Sequence, residues 1–307
     1  MALSPADIDA GFAQLRSERA LQRRLHEVRD PDFWRALNPE LTISDFPLAA
    51  RRARPAATSD IATQCRAQVI ADGYFVTPPL IPADELARLV TGIERVVAAG
   101  FPSALAAVYD EYFNIFSGLD AVCAPLFGDD YVMITQGLWA FYVPSGDDGR
   151  TLWTAGAPHR DRMAPDARTL AHDVPSIMTI WIPLEDVTPD QSCLYVVPAP
   201  FDPDFYTAER NVHGERIRLQ DIRCLPARAG SVLGWSSHLI HWGSRASQFA
   251  ERPRVSVTMY FQRRDVPLWH PFHLDPLQPV SFLDRLMWID HSMGRPGSLG
   301  GQRPEGV

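Results

Sequence analysis

"PSIMTIWIPLEDVTPDQSCLYVVPAP", residues 175–200, contains two short apolar runs separated by an acidic, turn-rich link. Both runs are rich in β-branched and aromatic residues, which is typical of strands. Similar runs, each bounded by turn residues, occur at 131–144, 222–237 and 253–264. Many short strands that do not alternate with helices predict an antiparallel sandwich or barrel with helical cover.

The rest of the chain divides into three predicted parts. Residues 1–60 have helical spacing followed by a linker-like stretch, and we expect a helical extension that packs on the rest. Residues 61–265 form the main domain, which begins with a helix, a strand through Tyr74–Val76 and further helix signals. Residues 266–307 are expected to form a capping tail.

Composition excludes several classes of function. The net charge of −8 argues against a nucleic-acid surface. All 29 basic residues are arginine, so Schiff-base, pyridoxal-phosphate and phosphate-loop lysines are excluded. The sequence has neither a long apolar run nor a signal-peptide pattern, which predicts a cytoplasmic protein that does not bind membranes. A homo-oligomer is compatible with these features.

The four cysteines are scattered without C-x-x-C spacing. This spacing predicts reduced core residues, and neither a disulfide framework nor a thiolate zinc site.

A candidate metal site begins in "APHRDRMAP", residues 157–165. His159 and Asp161 are two residues apart, so in a strand they would point to the same face. His238 and His241 are candidates for a third ligand. Two histidines and one carboxylate form the facial arrangement of non-haem iron(II) oxygenases, which leaves positions open for other molecules. A surface ion pair is the alternative interpretation.

The run "ERPRVSVTMYF" places polar side chains on one strand face, namely Arg254, Ser256, Thr258 and Tyr260. An arginine with neighbouring hydroxyls can bind a small dicarboxylate, because the planar guanidinium matches a carboxylate. A solvent-facing polar strand is the alternative.

Several ordered motifs resemble the phytanoyl-CoA dioxygenase family. Residues 181–200 resemble the family's Trp-containing strand, its D-V-T-P-x-x-x-C-L turn and the V-x-P that follows. Residues 71–89 resemble its N-terminal strand–turn–helix. Gly230, eleven residues before His241, matches the layout of the family's final histidine segment and favours His241 over His238 as the ligand.

The resemblance covers roughly residues 65–262. It implies a double-stranded β-helix (jelly-roll, cupin-like) core that binds Fe(II) and 2-oxoglutarate and uses O2. The site residues that it implies are the metal ligands His159, Asp161 and His241, the 2-oxoglutarate anchor Arg254 with Ser256, and the pocket residues Trp181 and Gln136.

Two positions depart from the family pattern. Val143 stands before Pro144, where the family usually has a polar residue. The last histidine is followed by "WGS" where "GS" is usual, which leaves a cosubstrate contact by Ser244 open.

The implied function is hydroxylation of an unactivated C–H bond in a small organic substrate, such as a natural product, with release of succinate and CO2. Asp161 predicts oxygenation, because related halogenating enzymes have a small residue there. Desaturation, cyclisation and epimerisation stay open, since each begins with the same hydrogen abstraction. Two other classes are a non-catalytic jelly-roll metal-binding or sensor protein, and a zinc or manganese hydrolase or isomerase without cosubstrate.

Several residues near the proposed site could serve in core packing or at the surface, without contacting a ligand. Tryptophans predict either an aromatic pocket wall or ordinary core packing; they are Trp139, Trp153, Trp235 and Trp242. Arg160 could bind a substrate carboxylate, but in a strand it would point away from His159, so a solvated side chain is expected. Surface or packing roles are expected for His238, His270 and His273, and a substrate contact by Arg162 stays open.

Overall fold

The computed structural model describes most of the chain. The described residues are 19–44, 59–128, 130–146, 157–161, 174–207, 211–271, 273–274 and 280–293.

Seven α-helices and nine β-strands have both ends in the described residues, and residues 19–23 are also helical. The helices are α1 Leu25–Val28, α2 Pro31–Leu37, α3 Ser59–Asp72, α4 Ala83–Ala98, α5 Asp110–Ser117, α6 Asp120–Phe127 and α7 Phe282–Ser292. The strands are β1 Tyr74–Pro79, β2 Tyr131–Val143, β3 Ile177–Pro183, β4 Leu194–Val197, β5 Arg223–Leu225, β6 Ser231–Ser236, β7 Ile240–Gly243, β8 Arg254–Arg263 and β9 His273–Leu274.

The strands form two antiparallel sheets. The larger has the order β1-β6-β3-β8-β2-β9, and the smaller has the order β5-β4-β7. Neighbouring strands in a sheet are mostly distant in sequence, which is the crossed connectivity of a jelly roll. The predicted mainly-β architecture with helical cover is confirmed.

Strand β3 shows how the sheets pack, because every one of its residues is buried. Met178, Ile180 and Ile182 belong to the core that the large sheet shares with the helices. Trp181 faces the opposite way, into the core between the two sheets. The alternation of side chains along a strand therefore separates a helix-facing side from a sheet-facing side.

Helix α4 covers the helix-facing side with one apolar stripe. Leu86, Leu89, Ile93 and Val96 are at most 2 % exposed and follow helical spacing. Because burial of such side chains contributes about 1.5–3 kcal/mol each, this stripe holds the helix against the sheet.

The described part of the predicted N-terminal extension packs against the same core. Trp34 is fully buried, and its indole N–H donates to the carbonyl of Val28 at 2.9 Å. Residues 1–18 and 45–58 of the predicted extension and linker lie outside the described residues.

The predicted capping tail contains a helix that the sequence did not predict. Ser281 caps α7 by accepting a hydrogen bond from the N–H of Asp284. Arg285 is fully buried and lies 2.6 Å from Asp110, and it donates to the carbonyl of Val108 at 2.7 Å. This ion pair fixes α7 to the start of α5.

The division of the chain at residues 60/61 and 265/266 stays a prediction. No helix among the described residues is long and apolar enough to cross a membrane. The cytoplasmic location also stays a prediction.

Candidate metal centre

The His-x-Asp segment is held against β7 by main-chain hydrogen bonds. The N–H of His159 donates to the carbonyl of His241 at 3.1 Å, and the N–H of His241 donates to the carbonyl of His159 at 3.0 Å. This antiparallel bridge places the two side chains on the same side. The imidazole centroids accordingly lie 4.3 Å apart.

Asp161 completes a cluster of three metal-ligating side chains. Its Oδ1 lies 3.6 Å from Nε2 of His241 and 4.0 Å from Nε2 of His159. The three ligand atoms all lie within 4.8 Å of one another. Donors that bind one first-row divalent ion at about 2.0–2.2 Å stand about 3–4 Å apart. The cluster thus fits one such ion after small side-chain rotations.

A hydrogen bond at the other ring nitrogen orients each imidazole. Nδ1 of His241 lies 3.0 Å from the carbonyl of Leu239, and Nδ1 of His159 lies 2.9 Å from the carbonyl of Ala157. Because a carbonyl only accepts, each Nδ1 carries the proton and each Nε2 presents its lone pair to the cluster.

The charge state of His241 suits a metal ligand. Burial lowers the pKa of His241 to about 4, although the neighbouring Asp161 carboxylate partly offsets this effect. The ring is therefore neutral at pH 7, which is the form that binds a metal.

The Asp161 carboxylate is held by donors on its other oxygen. Thr179 donates its hydroxyl to Oδ2 at 2.5 Å, and the indole N–H of Trp235 donates to the same oxygen at 3.1 Å. The hydroxyl of Tyr260 approaches Oδ1 at 3.4 Å. Oδ2 is thus occupied, and Oδ1 is directed towards the two histidines.

The cluster opens into a cavity of about 240 Å³ between the two sheets. The cavity is lined by Trp139, Phe141, His159, Asp161, Thr179, Trp181, Leu194, Trp235, His241, Gly243, Arg254, Thr258 and Tyr260. A larger open depression of about 770 Å³ lies beside α4. Its described lining contains no metal-ligating cluster, so the smaller cavity is the candidate site.

Arg254 lies at the start of β8 and lines the same cavity as the cluster. Its side chain is buried, and its Nη1 donates to the carbonyl of Ser192 at 2.8 Å. The guanidinium carbon lies 5.6 Å from the centroid of the Phe141 ring. A buried guanidinium that faces a cavity can bind a carboxylate with little competition from water.

Two hydroxyls near Arg254 on β8 are buried. Ser256 and Thr258 have side-chain oxygens with no hydrogen-bond partner among the described residues, and such a buried group costs about 1–3 kcal/mol. Thr258 lines the cavity, whereas Ser256 does not. The polar face of β8 is therefore buried, and the interpretation of it as a solvent-facing strand is wrong.

The two other predicted pocket residues differ in position. Trp181 lines the cavity. Gln136 is half-buried in β2, between Ile134 and Trp139, where the register with β8 shifts, and it lies outside the cavity lining. A cosubstrate contact by Gln136 stays a prediction.

The tryptophans predicted near the site separate into two groups. Trp139 and Trp235 line the cavity. Trp242 instead stacks on Tyr195 with ring centroids 5.7 Å apart, and Trp153 lies outside the described residues. Aromatic side chains therefore form part of the wall.

The prediction of a solvated Arg160 is wrong. Arg160 and Asp202 form an ion pair in which each side chain is only 2 % exposed, with contacts of 2.6 and 3.0 Å. Arg160 also donates to the carbonyl of His238. The side chain does point away from His159, but the segment that follows β4 covers that side, so it meets a carboxylate there.

The remaining candidates have packing contacts. Nε2 of His238 lies 3.1 Å from the carbonyl of Asp204, and burial together with Arg160 lowers the pKa of His238. Nε2 of His270 lies 3.0 Å from Nε2 of His291, with the ring centroids 4.7 Å apart. The N–H of Ser244 donates to the carbonyl of Cys193, and Ser244 lies outside the cavity lining. His273 is half-buried in β9.

Sequence reasoning missed the groups that hold Asp161 and Arg160. Thr179 stands two residues before Trp181 and shares its strand face, so the alternation of β3 contains a local signal for it. Asp202 carries no local signal, because it lies more than forty residues from its partner.

Arg162 lies outside the described residues, and its substrate contact stays a prediction.

No family model matches the chain, and no curated protein sequence matches it. Solved structures do resemble it. ThoJ, a non-heme monooxygenase, is 14% identical with a TM-score of 0.52, and the match covers 75% of this chain and 99% of ThoJ.

Two further solved structures come from nogalamycin biosynthesis. The non-heme alpha-ketoglutarate-dependent epimerase SnoN is 16% identical with a TM-score of 0.48, covering 72% of this chain and 95% of SnoN. The carbocyclase SnoK is 15% identical with a TM-score of 0.46, covering 73% and 94%. Because both scores lie below 0.5, the fold assignment depends on the sheet topology and on the ThoJ likeness. The chain has the double-stranded β-helix fold.

Proposed function

We propose that the chain is an Fe(II)/2-oxoglutarate-dependent dioxygenase that hydroxylates an unactivated C–H bond of a small organic substrate. The coproducts would be succinate and CO2. One observation carries this proposal: His159, Asp161, His241 and Arg254 line a single cavity of about 240 Å³. The ordered motifs of the sequence support placing it in the phytanoyl-CoA dioxygenase family, with residues 61–265 as the catalytic domain.

The metal would be held by Nε2 of His159, Nε2 of His241 and Oδ1 of Asp161. This donor set suits iron(II), because two neutral imidazoles and one carboxylate bind one face of the ion and leave the other face open. Iron and 2-oxoglutarate would together supply the oxidising chemistry, with O2 as the oxidant. Thr179 and Trp235 keep Asp161 in position, since they occupy its second oxygen.

Arg254 would bind the distal carboxylate of 2-oxoglutarate. Its guanidinium is buried at the cavity wall, where a charge-assisted pair is stronger than in water. Thr258 lies four residues after Arg254 on the same strand face, and its hydroxyl, which has no partner among the described residues, can donate to the same ligand. Trp181 would form an apolar wall beside the carbon chain.

The aromatic residues of the cavity would exclude water from the substrate. Trp139 and Phe141 stack with centroids 6.2 Å apart and line the cavity together. A wall of this kind favours an apolar or aromatic substrate over a charged one. Because Asp161 occupies the third ligand position, oxygenation is favoured over halogenation. Desaturation, cyclisation and epimerisation are alternative outcomes of the same site.

The test measures succinate formed from 2-oxoglutarate by the full chain with Fe(II), ascorbate and O2, without and with a panel of apolar substrates. We expect 2-oxoglutarate consumption to match succinate release, and to fall to background in His159→Ala and Asp161→Ala. His213→Ala and Asp84→Ala are matched controls outside the cavity and should keep full turnover.

Three results would contradict the proposal. Full turnover in both ligand variants would separate the reaction from this cluster. Binding of iron without succinate formation would favour a sensor protein. Activity that needs a divalent metal but no 2-oxoglutarate, and that persists in Arg254→Ala, would favour a hydrolase or isomerase.

A further inference from the structure

Two cysteines that are far apart in sequence meet next to the cavity. Cys193 directly precedes β4, and Cys224 is the middle residue of β5. The strands pair with Tyr195 opposite Cys224, so Cys193 is a diagonal neighbour of Cys224 on the same face. Their Sγ atoms lie 3.2 Å apart, and both are free thiols.

This distance is that of a short non-bonded contact between two sulfur atoms, with no other atom between them. A disulfide has sulfurs about 2.05 Å apart, so the two atoms would approach by about 1.2 Å. Diagonal neighbours on paired strands have Cα atoms about 7–8 Å apart, slightly more than a disulfide usually spans, so bond formation draws the backbone of Cys193 towards β5. The other two cysteines, Cys65 and Cys123, lie on helices α3 and α6. They provide internal controls.

We propose that Cys193 and Cys224 are a reversible thiol–disulfide couple whose oxidant is a small-molecule disulfide, and that the cross-link alters the Arg254 end of the cavity. The effect on the cavity rests on the proposed function, whereas the cross-link itself does not.

The reaction has two exchange steps. The thiolate of Cys224 attacks one sulfur of the small disulfide, whose S–S bond breaks and releases one thiol after it takes up a proton. Cys193 then loses its proton to water and attacks Sγ of Cys224, which releases the second small thiol. The two protein thiols together lose two electrons, and the small disulfide gains them and becomes two thiols.

The two thiols are suited to different steps. Cys224 is partly exposed, so an external disulfide can reach it. Cys193 is fully buried, and burial raises its pKa to about 12. Cys193 is therefore a poor first nucleophile, but its proximity to Cys224 makes the second step effectively intramolecular.

The residue next to Cys193 in the chain is hydrogen-bonded to Arg254. Ser192 precedes Cys193 and adopts a left-handed backbone conformation with φ of 59°. In this conformation its carbonyl accepts the hydrogen bond from Nη1 of Arg254. Leu194, on the other side of Cys193, lines the cavity. A displacement of Cys193 thus acts on both the guanidinium and the cavity wall.

The first experiment counts thiols in the full chain. The reduced protein is incubated with oxidised glutathione, quenched in acid with denaturant, and alkylated with N-ethylmaleimide before intact and peptide mass spectrometry. We expect two alkylated cysteines in place of four, and a cross-linked Cys193–Cys224 peptide. Cys65→Ser should leave this cross-link unchanged.

Variants separate the two steps. Cys193→Ser and Cys193→Ala should stop at a glutathione adduct on Cys224, whereas Cys224→Ser should gain neither adduct nor cross-link. Circular dichroism verifies that each variant is folded. Four alkylated cysteines in the wild type, a persistent glutathione adduct there, or a cross-link to Cys65 or Cys123 would overturn the couple.

The second experiment measures the Kd of 2-oxoglutarate by calorimetry, with Mn(II) as a redox-inert ion, on the reduced and the cross-linked chain. We expect binding weaker by about fivefold or more after cross-linking, because one hydrogen bond that orients Arg254 is perturbed. Dithiothreitol should restore it, and Cys224→Ser should not respond. Equal affinities would overturn the coupling. If neither form bound 2-oxoglutarate, both the coupling and the proposed function would be overturned. The cross-link itself would be unaffected, because mass spectrometry tests it separately.

Discussion

Strand β8 contributes one face to the hydrophobic core and the other face to the candidate site. Val255, Val257, Met259 and Phe261 point to the helices and are fully buried in an apolar core. The alternate residues from Arg254 to Tyr260 point to the smaller sheet and carry polar groups. The comparison teaches that one face of β8 stabilises the fold by apolar packing, whereas the other buries the hydroxyls of Ser256 and Thr258 without a hydrogen-bond partner among the described residues, which favours ligand binding over stability.

The largest expected effect lies on the helix-facing side. Phe261→Ala should lower the free energy of unfolding by about 3–5 kcal/mol, because it leaves a cavity among packed rings. Thr258→Val on the opposite face should be close to neutral, because it removes a buried hydroxyl that has no partner in the described residues. Urea denaturation of both variants measures the difference. Equal losses would contradict the division of β8 into two faces.

Burial of His241 beside the cavity should make the free energy of unfolding depend on pH. The folded-state pKa of His241 is lowered from 6.5 to about 4, so the unfolded chain binds more protons between these values. Stability of the metal-free protein is then fully present above about pH 6.5 and is lost as pH falls towards 4, by up to about 3 kcal/mol.

Denaturation at a series of pH values measures this slope, and His241→Gln should flatten it. His238, whose pKa is also lowered, should leave a smaller residual slope. A wild-type stability that rises between pH 6.5 and pH 4 would contradict the assignment.

Arg254→Ala should weaken 2-oxoglutarate binding by about 100-fold, since it removes charge-assisted hydrogen bonds of about 1.5–3 kcal/mol. Metal affinity should change little. Arg252→Ala is the matched control, because Arg252 lies two residues earlier with a side chain that is 72% exposed. A calorimetric titration with 2-oxoglutarate distinguishes them, and equal affinities would remove Arg254 from the site.

Trp235→Phe should lower metal affinity by about tenfold, because it deletes one donor that orients the Asp161 carboxylate. Trp242→Phe is the control on β7, the next strand along the chain, where the ring stacks on Tyr195 and lies outside the cavity lining. Competition for Co(II) against a chelator measures both. A larger loss in the control would show that ring packing, and not the N–H donor, sets the affinity.

The sequence predicts local features of this fold well. The two faces of β8 and the shared face of His159 and Asp161 follow from the two-residue period of a strand, which needs no tertiary information. The choice between His238 and His241 did need the family resemblance. In the structure, His241 joins the cluster and His238 bonds to the carbonyl of Asp204.

Features that depend on distant partners were missed. Arg160 was expected in solvent because its partner Asp202 lies on a segment whose path the local sequence does not reveal.

Helix α7 did carry a local signal, Ser281 followed by Asp284, but the Pro-, Trp- and His-rich composition of the tail obscured it. Cys193 and Cys224 meet only because β4 pairs with β5.

The mutual hydrogen bonds between the backbones of His159 and His241 set the distance between these residues before any ion binds. An incoming cation is accommodated by rotation of the rings and of the Asp161 carboxylate, because separating the His159 segment from β7 would break both bonds. Ions of similar radius, such as Mn(II), Co(II) and Ni(II), should therefore exchange for one another. A large ion such as Ca(II), which prefers six to eight oxygen ligands, should be excluded by geometry as well as by ligand type.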